Sequence, residues 1–336
     1  MFPFLKMDAE LPNLLPPAPP VPPELELDVA ALAERLTAWA ARGVHFGTSS
    51  WKYPGWLGLV YRPSAYAFRG EFSETRFQDR CLAEYAKIFP TVGVDATYYA
   101  FPSEKFLTGI AAQVPEHFRF SFKVTDEITA KRFPMLPRFA ERRGQPNSNF
   151  LNAELCATQF LRPLETIREK VGLVMFEFSR FHAPDFKRGR DFVDALDRFL
   201  GRLPSGWRYG VEVRNRNLLH PDFFAMLARH RVVSIFNAWS GAPSLGFQLA
   251  QPGCWTTDLG AARLLIRPGN DYEDSARRLA PFRELKEPFP EGRTEAKQMI
   301  DQALQRGISP LYVYLGNKFE GSSPLSIERL VAEMGV

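Results

Sequence analysis

Apolar and polar residues alternate in blocks along most of the chain, and the blocks change period. From Asp28 a capping residue is followed by Val29, Leu32, Ala33 and Leu36 on one helical face, and Gly43 stops the pattern. Beyond Gly43, short β-branched or aromatic runs alternate with helical stretches, which is the pattern of a parallel sheet with crossover helices. Eight runs qualify as strands: Val44 to Ser49, Thr91 to Thr97, Phe118 to Lys123, Val171 to Phe178, Tyr209 to Arg214, Val232 to Asn237, Ala262 to Arg267, and Pro310 to Asn317. The connecting helices are clearest at Phe192, Ala195, Leu196, Phe199 and Leu200, and again at Met299, Ile300, Ala303 and Leu304. An open doubly wound sheet shares this alternation. The count of eight and the lack of a glycine-rich fingerprint after the first strand favour a closed (β/α)8 TIM-like barrel, spanning 44–336. Residues 25–43 are then an N-terminal capping helix. Residues 1–24, with seven prolines between Pro12 and Pro23, read as a proline-rich tail.

Strand parity converts this outline into candidate chemistry. In a parallel barrel one side-chain parity faces the helices and the other faces the axis, so polar axial residues near strand ends point into the mouth. Val211 and Val213 suit the helix layer, which leaves Glu212 and Arg214 inward, roughly 7 Å apart by strand geometry. Phe118, Phe120 and Phe122 share one parity and leave Lys123 on the other; Glu177 shares the parity of Leu173 and Met175. Asp95 on the second strand, Asn237 on the sixth, Arg267 on the seventh and Asn317 on the eighth complete the ring. Trp51 and Tyr53 after the first strand, Tyr98 after the second, and Asn215 after the fifth are further ligand-binding candidates. The aromatics among them serve equally well as a hydrophobic plug.

Charges in such a place need partners or a ligand, because desolvating an isolated ion is expensive. The functional reading is a pocket for a small anion, with Lys123, Arg214 and Arg267 holding it, and with Glu212, Lys123 and Glu177 as the catalytic set, Glu212 being the base. The structural alternative is a closed network in which Glu212 pairs with Arg214 and Glu177 with Lys123. A divalent cation could be held by Asp95, Glu177 and Glu212 through oxygen ligands, although their spacing does not demand one.

Composition narrows the classes. With 45% hydrophobic and 24% charged residues the chain is globular, and its net charge of +4 is too mild for a dedicated nucleic-acid binder. The densest basic run, Lys131, Arg132, Arg138, Arg142 and Arg143, falls in one loop. Three scattered cysteines and five histidines, of which only His182 follows a strand end closely, argue against a zinc cluster. The chain start lacks a secretory signal and no apolar run is long enough to span a bilayer, so a cytoplasmic protein is expected.

The motif order resembles that of the YecE-like family, the barrels labelled domain of unknown function 72. The residues that carry the resemblance are G-T-S-S-W-K-Y-P-G-W at Gly47 to Trp56, D-A-T-Y-Y at Asp95 to Tyr99, F-K-V-T-D-E-I-T at Phe122 to Thr129, G-V-E-V-R-N at Gly210 to Asn215, and N-K-F-E-G-S-S-P at Asn317 to Pro324. Departures fall at Gly93, Asp95, Ala130 and Glu177, where that family often has Glu, Asn, His and Gln. The resemblance implies a single barrel from Val44 onwards and no specific reaction. Three function classes remain open: an enzyme on a small phosphorylated or carboxylated compound, a non-catalytic metabolite-binding barrel, and a metal-dependent nucleic-acid repair enzyme.

Overall fold

The computed structural model describes residues 27–182 and 184–335. The proline-rich tail expected at 1–24 lies outside them. Helix α1 (Val29–Ala41) is capped by the Asp28 carboxylate, which accepts from the Ala31 amide at 3.0 Å, and it buries Leu32, Leu36 and Trp39. Gly43 ends it with φ +86°, and a Cβ there would lie 2.4 Å from Ser309 Oγ, so the turn requires glycine on both counts.

Strands β1 (Val44–Thr48), β2 (Thr91–Val94), β3 (Arg119–Lys123), β4 (Val171–Phe178) and β5 (Tyr209–Val213) pair in parallel, each with the next. Two short segments follow, β6 (Val233–Ser234) and β7 (Phe236–Ala238), then β8 (Gly260–Ile266) and β9 (Leu311–Lys318). The sheet runs β6-β5-β4-β3-β2-β1-β9-β8-β7. Its two ends are thus consecutive segments joined at Ile235, whose amide itself bonds Val211 O at 2.9 Å. Nine segments therefore occupy eight strand positions, and the sheet closes into a barrel.

Helices α2 (Glu74–Tyr85), α3 (Glu104–Ala111), α4 (Gly189–Leu200), α5 (Pro221–Arg229), α6 (Pro290–Gln305) and α7 (Ser323–Met334) surround the sheet, with shorter helices among them. In α4 the buried residues are Phe192, Leu196, Phe199 and Leu200, four of the five positions that the apolar spacing marks. Burial of each such side chain is worth about 1.5–3 kcal/mol, which is what fixes the helix on the sheet. Among the described residues no helix is long and apolar enough to cross a membrane.

The barrel axis is filled. Leu173, Met175, Val233, Ile235, Leu259, Ala261, Tyr312 and Tyr314 form a separate buried cluster inside the ring. Tyr312 and Tyr314 stack with centroids 6.3 Å apart, and the Tyr314 hydroxyl donates to Ser121 Oγ at 2.6 Å. A solid floor thus lies beneath the C-terminal ends of the strands. Any ligand must bind above it.

Most strand limits differ from the sequence expectation by a residue or more, and three of the differences bear on candidate side chains. The second strand stops at Val94, and Asp95–Tyr98 forms a tight helical turn. The seventh spans Gly260–Ile266 rather than Ala262 to Arg267, with a register shift against β9 between Leu264 and Ile266. The eighth extends to Lys318.

Candidate functional site

Register brings Glu177 of β4 and Glu212 of β5 side by side. Two carboxylates on adjacent strands repel at this spacing unless cations stand between them. Three do. Arg214 sends Nη2 to Glu177 Oε1 at 2.7 Å and Nε to Glu212 Oε1 at 3.4 Å. Lys123 pairs with Glu177 Oε2. Arg263, which the sequence reading did not single out, reaches Glu212 Oε2 at 2.6 Å, Glu177 Oε2 at 3.5 Å and Asp95 Oδ1 at 2.9 Å. Glu212 and Arg214 thus both point into the mouth, as their parity requires.

The network combines three carboxylates with three cations and closes on itself. Burial by itself would raise the Glu177 carboxyl, but Arg214, Lys123 and Arg263 together hold it well below the usual carboxylate range. Burial likewise works against the charged form of Arg263, and Glu212, Asp95 and Glu177 outweigh it and keep the guanidinium protonated. The Arg263 guanidinium occupies the position between Asp95, Glu177 and Glu212 that a divalent cation would take. These carboxylates therefore do not fit the metal site suggested for them, and among the described residues no other group of acidic, histidine or cysteine side chains is arranged to hold an ion.

Other predicted residues have structural partners. Asn317 faces the helix layer, where its Oδ1 accepts from Trp56 Nε1 at 3.2 Å and from the Ser323 amide at 2.9 Å, so it anchors the start of α7 instead of lining the mouth. Arg267 lies beyond the register shift with its guanidinium 4.6 Å over Phe289, away from the carboxylates. Asn215 exchanges two hydrogen bonds with the Phe181 backbone, at 2.8 and 2.9 Å, and fastens the loop after β4. Asn237 stands beside Arg263 in register and donates to Val213 O at 3.1 Å; its buried Oδ1 has no partner among the described residues. Trp51 is buried, and its carbonyl accepts the Tyr61 hydroxyl, so it belongs to the plug. Tyr53 packs on Trp56 and Phe282. Tyr98 lies under Lys123, whose Nζ is 3.7 Å from the ring centre, and burial pushes its hydroxyl well above the ordinary tyrosine range. His182 is exposed; its backbone amide donates to Asp185 Oδ2 at 2.8 Å and its carbonyl accepts from the Asp185 amide at 2.9 Å.

The basic loop spends three of its five charges on local carboxylates. Arg132 pairs with Asp185, Arg138 with Asp126 and Arg142 with Glu127, while Lys131 rests over Phe150 and Phe186. Arg138 also covers Tyr98 and Tyr99, so the loop is a lip of the mouth.

A residue that the sequence reading quotes within a motif but does not single out completes the picture. Lys318, at the end of β9, continues the axial parity of Tyr312 and Tyr314. It is 9% exposed, and its ammonium lies 4.1 Å over Tyr272 and 5.5 Å over Phe282. Among the described residues no carboxylate pairs with it and no side-chain hydrogen bond is made. Tyr272 in turn stacks on Trp239 at 5.5 Å, and Arg214 lies 3.7 Å over Trp239.

The family described as "Protein of unknown function DUF72" matches residues 45–336. Among curated proteins, UPF0759 protein YecE of Escherichia coli K12 is 25% identical over 182 residues, which cover 54% of this chain and 50% of that protein. The chain spans about half the length of the curated relatives it matches. A DUF72 family protein of Enterococcus faecalis V583 aligns with a TM-score of 0.59 at 16% identity, covering 87% of this chain and 96% of that one. One from Thermotoga maritima MSB8 aligns with a TM-score of 0.55 at 18% identity, covering 87% and 98%. At these identities the likeness to solved structures concerns the fold.

Proposed function

The chain belongs to the DUF72 family of proteins of unknown function, and on that premise we propose that its barrel mouth binds a small anionic compound and moves a proton on it. The observation that carries this reading is Lys318. The six charges of the central network balance, three against three, so among the described residues Lys318 leaves the mouth with one cation in excess. A desolvated ammonium costs several kcal/mol, and an aromatic face returns only about 0.5–2 kcal/mol. A ligand carboxylate supplies the missing charge.

Glu212 is buried and already bonded to two guanidinium groups, so it suits the role of holding Arg263 and Arg214 in position. Asp95 is the better proton carrier. Its side chain is 31% exposed against 1% for Glu212, and Arg263 holds only its Oδ1. The complete pairing of Glu177 and Glu212 also suits a metabolite-binding barrel without turnover; conversion of a bound ligand that disappears in Asp95→Asn separates the two. Local use of the basic loop's charges favours a small ligand over a nucleic acid.

The test compares melting temperatures in malonate and in chloride at equal ionic strength. A ligand at ten times its Kd adds about 1.4 kcal/mol, a shift of roughly 3 °C for a chain of this size. The wild type should show this shift, Lys318→Gln should lose it, and Asp95→Asn, which removes a negative charge, should enlarge it. Equal effects of malonate and chloride on the wild type, or a full shift in Lys318→Gln, would contradict the reading.

A further inference from the structure

A second polar cavity opens on the outer lip of the barrel, a depression of about 490 Å³ between the loops that follow β4, β5 and β7. Three arginines line it, Arg180, Arg214 and Arg216, and no carboxylate does. Arg180 and Arg216 are exposed, and among the described residues neither forms an ion pair. Elsewhere on this surface the exposed arginines commonly have acidic neighbours, such as Arg188 with Asp191 and Arg229 with Asp197.

Two of the three guanidinium groups are held over aromatic rings before any ligand arrives. Arg216 lies 3.8 Å over the Phe247 ring and Arg214 lies 3.7 Å over Trp239. The ion pairs of Arg214 use its Nη2 and Nε, and among the described residues Nη1 makes no hydrogen bond. Gly241 forms the wall beside Arg180, where a Cβ would make ordinary contact with Nη1 at 3.7 Å. Asn217 adds an amide to the same wall. Planar, pre-oriented forks of this kind match the oxygens of a phosphoryl group, and pre-orientation reduces the entropy lost on binding.

From these features we infer that the outer pocket is a phosphoryl-binding subsite. One excess ammonium at Lys318 suits a carboxylate, whereas two guanidinium groups without a counter-ion, Arg180 and Arg216, beside the already paired Arg214 suit a dianion. Arg214 belongs to both places, since it lines the pocket and bonds Glu177 and Glu212 in the mouth. The ligand is therefore a small phosphomonoester whose second anionic group lies over the mouth; this description of the whole ligand rests on the mouth reading, while the pocket itself does not. A phosphodiester backbone presents the same oxygens but only one charge per group, and two unpaired guanidinium groups favour the dianion of a terminal phosphate.

The experiment is calorimetric titration of the full chain with inorganic phosphate at fixed ionic strength. The wild type should bind phosphate in preference to chloride. Arg180→Gln combined with Arg216→Gln should weaken binding by about tenfold or more, and the corresponding lysine pair should restore only part of it, because the bidentate fork is lost. Both side chains are exposed and unpaired, so the double variant should melt as the wild type does. Malonate binding reads the mouth separately: it should survive in the glutamine pair and fail in Lys318→Gln, whose phosphate affinity should stay within about threefold of the wild type. Unchanged phosphate binding in the glutamine pair overturns the subsite and leaves the mouth reading standing. Malonate binding that persists undiminished in Lys318→Gln does the reverse. A single-stranded oligonucleotide lacking terminal phosphate that competes as well as inorganic phosphate also overturns the assignment to a phosphomonoester.

Discussion

Replacing Glu177 by glutamine is expected to lower the melting temperature by on the order of 10 °C, the equivalent of about 3–5 kcal/mol. Glutamine preserves the shape and removes only the charge. Lys123, Arg214 and Arg263 all converge on this carboxylate, and after substitution three buried cations share Asp95 and Glu212. The effect also has a pH signature. The folded Glu177 carboxyl titrates well below its unfolded value, so its contribution is complete above about pH 4.3 and is lost as pH falls towards the folded value. Asp126 has the opposite sign: burial raises its carboxyl against the pull of Arg138, so acidification relieves a cost there. The difference between wild type and Glu177→Gln therefore isolates the residue, and the gap should narrow as pH drops below about 4. A variant that melts within about 2 °C of the wild type at neutral pH would show that the network does not need this charge.

Arg263→Met should be comparably severe, at about 3–5 kcal/mol, because it removes the guanidinium that joins all three carboxylates. The more telling result concerns the pair. Arg263→Met together with Glu212→Leu removes one charge of each sign and should cost less than the sum of the single changes by about 1–3 kcal/mol. Midpoints of denaturant unfolding measure all three variants. Simple additivity would mean that the residues act independently, and the charge-balance argument would then be lost.

The ring of side chains around the mouth was legible where the two faces of a strand differ in chemistry. Val211 and Val213 against Glu212 and Arg214 leave one arrangement, and β5 adopts it. Three phenylalanines against Lys123 do the same for β3. Legibility failed on β9, where Leu311, Val313 and Leu315 alternate with Tyr312 and Tyr314, so both parities are apolar and nothing in the alternation chooses the axial one. Reading the strand to end at Asn317 selected the helix-facing residue and missed Lys318. On β2 the error was one of length, since four residues suffice for the strand and Asp95 reaches Arg263 from a helical turn instead. Arg263 did carry a signal: it is the one charged residue within Gly260–Ile266, and a lone arginine in so apolar a run needs buried carboxylates on neighbouring strands. The outer pocket was beyond a linear reading, because Arg180, Arg216 and Gly241 come from different loops and meet only when the barrel closes.

The most direct measurement of the central claim is the structure of the protein saturated with malonate. A carboxylate of the ligand should lie within about 2.7–3.2 Å of Lys318 Nζ, with Asp95 facing the bound molecule and the Glu177, Glu212 and Arg263 contacts intact. A mouth that stays free of malonate at saturation, or malonate bound with Lys318 left on its aromatic rings alone, would contradict it.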